Sequence, residues 1–384
     1  MCAATLGSKK LGQATYGAPL RIERPTRIEF GIGKISSARQ WATDKGAKRT
    51  LVLSDQYNAN RVDQLDLPGK VFVHGDLVSE PDLVSVNKAL SVAREVSADL
   101  IIGFGGGSVM DCAKLVSVLV SARQSIQDIA GVGNAPQRSV FLMQVPTTSG
   151  TGSEVGSRAL VTDPGTQQKI SVESTHMLAD VAIIDPALTV SLPSAITATT
   201  GIDALAHCVE AFTSTRAHPL IDMYARQGIE LVGRFLGRAV RDGADLEARA
   251  GLSFASCIGG YCLGPVNTTA GHAISYPLGT RHNVAHGLAN AVIFPHTLAF
   301  NQHSTPGKTR EIAHSLGFAD GDTFAGAYQF CSDLGIGMRM AELGVSPSDL
   351  EPMADEAFKI RRLLDYNPRE MSKEAILEIY KASL

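Results

Sequence analysis

Asp203 and His207 stand four residues apart in Thr200-Gly201-Ile202-Asp203-Ala204-Leu205-Ala206-His207. On a helix that spacing stacks a carboxylate and an imidazole on one face. Such a pair in Ala/Leu-rich sequence describes a local hydrogen bond as well as it describes two metal ligands. Downstream, Gly271-His272 and His286-Gly287 place two more imidazoles on either side of Tyr276-Pro277-Leu278-Gly279. This turn-rich segment is expected to fold one histidine back beside the other. An imidazole without a partner in such apolar sequence would be costly to bury. One Asp and three His therefore make a donor set for a divalent ion. Imidazole suits zinc or ferrous iron, and a single carboxylate falls short of the oxygen ligands calcium prefers.

A second chemistry lies upstream. Gly103-Phe104-Gly105-Gly106-Gly107-Ser108 follows the most apolar strand-like run and precedes a helical segment, Val109 to Val120. Consecutive glycines let a ligand approach the backbone, and the free N–H groups of the helix start suit an anion such as a pyrophosphate. Ser108 occupies the sixth position, so the pattern departs from GxGxxG, and a tight turn without a ligand is the competing reading. Asp55, after the second strand-like run, could accept hydrogen bonds from a ribose diol and repel a 2'-phosphate, favouring NAD over NADP. It could equally cap a helix. The hydroxyl- and glycine-rich loop Pro146 to Glu154 would line a nucleotide or simply connect two elements.

These residues need a scaffold to position them. Short β-rich runs at 27–31, 50–54, 71–73, 100–104, 141–145 and 181–184 alternate with helical patterns, as at Leu83, Val86, Leu90 and Ala93 after Pro81-Asp82. That alternation predicts an α/β fold with a parallel sheet covered on both faces. After Leu192-Pro193 the strand-like runs stop, and residues 220–240, 246–263 and 308–384 favour helix. The chain is expected to divide near 190 into an α/β nucleotide-binding domain, 1–190, and an all-α metal-binding and substrate domain, 191–384. Residues 1–24 read as a loosely ordered arm.

With 384 residues the chain exceeds one ordinary hydrophobic core. A hydrophobic content of 44%, charged residues at 19% and a net charge of -3 give no electrostatic case for nucleic acid or an anionic membrane. The cysteines Cys2, Cys112, Cys208, Cys257, Cys262 and Cys331 form no CxxC pair and read as reduced, buried thiols. Lys9 and Lys10 precede no apolar run, and no stretch is long enough to span a bilayer, so the expectation is a cytoplasmic protein.

Gly105 to Lys114, the Pro146 to Glu154 loop, Ile184-Asp185-Pro186, Thr200 to His207 and His272 to Gly287 together resemble the iron-containing (group III) alcohol dehydrogenase family, with the motifs in the family's order from about Phe30 to Pro295. The resemblance implies an active site in a cleft between an N-terminal nucleotide-binding domain and a C-terminal helical domain. It implies one Fe2+ or Zn2+ held by Asp203, His207, His272 and His286. It also implies NAD contacts from Asp55, Gly106, Gly107, Ser108, Asp111, Thr147, Thr148, Ser153 and Lys169. A dimer or larger homo-oligomer is implied as well. In such a site the ion polarises a carbonyl while the nicotinamide delivers hydride.

Tyr276 departs from the family pattern HxxxHPLG, where a second histidine is treated as a proton relay. Tyr276 could donate through its hydroxyl or fill the space. A tyrosine here is similar to branches handling acid-bearing semialdehydes. Arg158 points the same way, since a guanidinium facing the substrate would suit a carboxylate, sulfonate or phosphonate, and Arg281 is a second candidate. For either, the competing reading is a surface or inter-subunit salt bridge. His74, His176, His218, His296, His303 and His314 have no partner at ligand spacing, while His282 could border the pocket. The function expected is an NAD(H)- and metal-dependent alcohol dehydrogenase or aldehyde reductase acting on a small alcohol or aldehyde, an anionic one included. The alternatives are a dehydroquinate-synthase-like lyase and a hydroxyacid-oxoacid transhydrogenase.

Overall fold

Six runs of aliphatic and β-branched residues pair as one wholly parallel sheet in the computed structural model, which describes residues 16–166, 168–318 and 322–384. They are β1 Arg27–Phe30, β2 Arg49–Ser54, β3 Lys70–His74, β4 Leu100–Gly105, β6 Phe141–Pro146 and β9 Val181–Ile184, in spatial order β1-β9-β6-β4-β2-β3. β4 lies in mid-sheet and is buried at every residue, which explains its unbroken apolar run. Side chains alternate between the two faces. Leu51, Leu53 and Ile101 join α3 (Leu83–Glu95) and α4 (Gly107–Leu119) in one core, while Val52, Leu100, Ile102 and Phe104 pack with Trp41 of α1 (Ser37–Asp44) in another. Asp82 caps α3 by accepting from the Ser85 N–H at 2.7 Å. The short α2 spans Gln56–Ala59.

A second, three-stranded sheet was not legible as strands: β5 Gly131–Val132 pairs with β8 Gln168–Glu173, which forms a hairpin with β7 Arg158–Asp163. Both long strands are half-buried with charged ends, so neither reads as an apolar run. Pro164-Gly165 between them is the turn signal that could have revealed the hairpin.

The last strand ends at Ile184 and the remainder is helical. α5 Ser194–Thr213, α6 Pro219–Arg241 and α7 Leu246–Leu263 build a core around Leu205, Phe212, Val232 and Leu252, joined by α10 Pro306–Leu316 and α11 Thr323–Asp333. α8 Ala270–His282 and α9 His286–Asn301 share another core with α12 Leu350–Phe358, α13 Arg361–Leu364 and α14 Lys373–Ser383. No helix among the described residues is long and apolar enough to cross a membrane.

Two expectations need correction. Tyr276-Pro277-Leu278-Gly279 is not the turn between the histidines, because α8 runs straight through Pro277 and reverses only at Asn283, whose φ is 54°. Every residue from Ala270 to Leu278 is buried, and there a helix offers the backbone its hydrogen-bond partners, which outweighs the local preference of Pro and Gly. The N-terminal arm is also not loose where it is described. Leu20 and Ile22 pack against the helical core, and the Arg24 guanidinium lies 3.6 Å from the centre of the Tyr261 ring. Residues 1–15, with Cys2, Lys9 and Lys10, lie outside the described residues.

Candidate metal and nucleotide site

Three helix segments bring four potential ligands together. α5 supplies Asp203 and His207, the first turn of α8 supplies His272, and His286 opens α9. The Nε2 atoms of His286, His272 and His207 lie 3.4, 3.5 and 3.8 Å from Asp203 Oδ1. The His207 and His272 rings stack at 4.7 Å. Both downstream histidines adjoin glycines for a steric reason. A Cβ on Gly271 would lie 2.7 Å from Glu210 Oε1, and one on Gly287 would lie 2.6 Å from the Thr199 carbonyl oxygen, so larger residues would hold α8 and α9 away from α5.

Behind the four stand two residues that sequence reasoning missed. Glu210, buried on α5, accepts from His272 Nδ1 at 2.6 Å and from the Thr269 N–H at 2.5 Å. That fixes the His272 tautomer with Nε2 facing the cluster. Asn290 on α9 places Nδ2 2.7 Å from Asp203 Oδ1 and 3.2 Å from Nε2 of both His272 and His286. Spacing carried a signal for each: Glu210 continues the face of Asp203 and His207, and Asn290 is four residues after His286.

Burial opposes the charge of Asp203, but His207, His286 and His272 hold its carboxyl well below the usual range. Burial pushes His207 down to about 4 and lowers His286. For His272 burial works the same way and loses to Glu210 and Asp203, which raise it to about 10. Asp203 is thus ionised and two imidazoles are neutral with converging nitrogens. Nδ1 of His207 and Oδ1 of Asn290 are buried with no hydrogen-bond partner. One carboxylate and three imidazole nitrogens aimed at one point fit a single Fe2+ or Zn2+.

The carboxyl edge of the large sheet provides the second half of the site. A cavity of roughly 950 Å³, part of it open to solvent, is bordered by Gly107, Ser108, Asp111, Ser153 and Lys169 from the sheet side and by His207, His272, Tyr276 and His286 from the helical side. It lies where ligands enter parallel α/β sheets. Gly106 caps α4 with free N–H groups beyond it and faces Thr148, while Thr147 N–H donates to the Gly105 carbonyl at 3.0 Å. Asp55 sits beside Gly105 at the end of β2 and caps α2, accepting from Asn58 N–H at 2.9 Å. Asp111 is engaged internally: it accepts from Ser153 Oγ at 2.6 Å and the Leu160 N–H at 2.9 Å, beside the buried Lys114.

Other predicted residues fall in different places. Arg158 borders the cavity, but its guanidinium donates to Glu173 at 2.7 Å and to Asn267 Oδ1 at 2.7 Å. Lys169 is ion-paired with Glu80, which has a left-handed backbone at φ 61°. Arg281 pairs with Glu356. Tyr276 lies with its ring 6.0 Å from that of His286. His296 is buried against Phe324, and His218 caps α6. Cys112, Cys208, Cys257, Cys262 and Cys331 are buried, unpaired thiols.

Comparison with known proteins bears on this geometry directly. Residues 25–186 match the model of the iron-containing alcohol dehydrogenases, and residues 197–384 match the C-terminal model of the Fe-containing alcohol dehydrogenase family. Long-chain-alcohol dehydrogenase 1 of Geobacillus thermodenitrificans is 34% identical, over 94% of this chain and 96% of its own. A crystal structure of 1,3-propanediol oxidoreductase superposes with a TM-score of 0.91 at 30% identity, covering 96% of this chain and all (100%) of that one. Sulfoacetaldehyde reductase from Bifidobacterium kashiwanohense, solved with NAD+, superposes with a TM-score of 0.86 at 28% identity, covering 95% and 99% of the two chains. With the donor cluster and the glycine-rich strand end facing one cavity, the chain belongs to the iron-containing alcohol dehydrogenase family and is an NAD-dependent oxidoreductase.

Proposed function

We propose that the cavity between the sheet edge and α5, α8 and α9 transfers hydride between NAD(H) and the carbonyl carbon of a small aldehyde, or the reverse for its alcohol. The observation that carries this is the convergence of Asp203, His207, His272 and His286 on the same cavity as Gly107 and Ser108. A divalent ion held there would polarise the substrate carbonyl and the bound nicotinamide would supply hydride. The chain's own residues do the rest. Glu210 orients His272, the first turn of α4 offers N–H groups to the dinucleotide phosphates, and Asp55 stands at the sheet edge suited to a ribose diol. Lys169 and Thr148 would complete the nucleotide contacts, and Tyr276 walls the substrate end.

The chain would divide near 190 into a nucleotide half and a metal half. A homodimer or larger assembly is supported by apolar side chains left exposed near the β1 edge, Phe30, Ile32 and Phe254. Five reduced buried thiols support a cytoplasmic setting. Protein purified anaerobically and loaded with Fe2+ is expected to oxidise NADH in the presence of short aldehydes. NADH left intact at confirmed metal occupancy would shift the assignment to a lyase with internal redox, in which NADH does not accumulate or disappear.

A further inference from the structure

The cavity is bordered by three cationic side chains, and each is already neutralised. Arg158 is held by Glu173, Lys169 by Glu80 and Lys114 by Asp111. None of these has charge to spare for a substrate. Arg362, at the start of α13, differs. Its guanidinium lies 5.8 Å from the centre of the Tyr276 ring and has no carboxylate within ion-pairing distance among the described residues. Tyr276 in turn borders the cavity, with its ring 6.0 Å from that of His286. A single aromatic ring therefore separates an uncompensated guanidinium from the metal-ligand cluster. The tyrosine itself records the positive surroundings. Burial opposes its ionisation, yet Arg362, His272 and Lys169 lower its pKa, Arg362 by hydrogen bonding as well as by charge.

We propose that Arg362, with the Tyr276 hydroxyl, is an anion subsite that selects short aldehydes carrying a carboxylate or sulfonate a few carbons from the carbonyl. The geometry assigns distinct ends to such a molecule: the carbonyl lies at Asp203, His207, His272 and His286, and the anionic head lies at Arg362. Guanidinium matches the planar fork of a carboxylate and the oxygens of a sulfonate alike. Arg158 then serves to tie β7 to β8 and to Asn267, and does not contact the head group. Because Arg362 is solvent-exposed, water screens part of the attraction, and the selectivity expected is roughly tenfold rather than a thousandfold. This assignment rests on the reading of the cavity as an aldehyde site.

The test uses the full-length, Fe2+-loaded enzyme and compares succinic semialdehyde with butanal, an uncharged aldehyde of the same chain length. The unaltered protein is expected to show kcat/KM roughly tenfold higher for the semialdehyde. In Arg362→Leu that ratio should fall to near one through KM, with butanal turnover unchanged, and Arg362→Lys should restore part of it. Unchanged butanal turnover also shows that the variant is folded. A ratio that survives Arg362→Leu, or a native enzyme without preference, overturns the subsite and leaves the reductase reading intact. Ligand-observed NMR with propane-1-sulfonate reads the subsite without turnover. Binding by the native protein that is lost in Arg362→Leu supports the subsite even if neither aldehyde consumes NADH, in which case only the hydride reading fails. Equal binding by both proteins overturns it.

Discussion

Replacing Glu210 by glutamine should weaken metal binding without unfolding the chain. In the native structure one carboxylate oxygen receives His272 Nδ1–H at 2.6 Å, and the other receives the Thr269 N–H at 2.5 Å and Thr269 Oγ–H at 3.1 Å. Glutamine keeps the shape but has a single acceptor oxygen, so its NH2 must face one of these donors. A buried donor left without an acceptor costs about 1–3 kcal/mol. The charge is lost too, and with it the pull on the imidazole that makes Nε2 a better ligand. Outer partners of metal-bound histidines typically contribute about 10–100-fold in affinity. Competition against a chromophoric chelator at fixed pH, on protein whose folding is checked by circular dichroism, should therefore show Kd raised by about one to two orders of magnitude. A folded Glu210→Gln protein whose Kd stays within about threefold of the native value would mean that Glu210 supports the α5–α8 contact and nothing more.

Further outcomes follow from other contacts. His286→Ala removes one of the four donors and should abolish stoichiometric iron or zinc, read by metal analysis after dialysis. Glu154 is buried at the loop before β7, and burial raises its pKa to about 7 from 4.5. A carboxyl raised on folding contributes stability present below its unfolded pKa and lost as pH climbs through the folded value. The stability of Glu154→Gln relative to the native protein should therefore improve by about 3 kcal/mol between pH 4.5 and 8, measured by urea unfolding. Gly152 has φ 61°, and a Cβ there would lie 2.5 Å from the Ser256 carbonyl oxygen and 2.6 Å from Gly260 Cα. Since backbone cannot yield as a side chain does, Gly152→Ala should destabilise by about 2–4 kcal/mol, seen as a lower thermal midpoint.

The large sheet was readable because its strands are buried on both faces and so appear as apolar runs between helical patterns. The metal donors were readable because their types are rare and their flanking glycines mark close helix approach. What escaped was held by long-range geometry. Nothing near Lys169 in the sequence announces Glu80, and nothing near Arg158 announces Asn267, so both cations read as free. The β7–β8 hairpin escaped because its strands carry alternating polar residues and lack an apolar run. Pro277 misled for the opposite reason. A local breaker is expected to end a helix, yet the buried surroundings of α8 require the regular backbone to continue.

All four metal donors lie on α5, α8 and α9, and the sheet contributes none of them. The glycine-rich turn and Asp55 belong wholly to the other part of the chain. Resident and travelling cargo thus have separate owners. The helices can be charged with their ion once, as they fold, and the sheet can exchange a spent dinucleotide for a fresh one every cycle without loosening a single metal ligand.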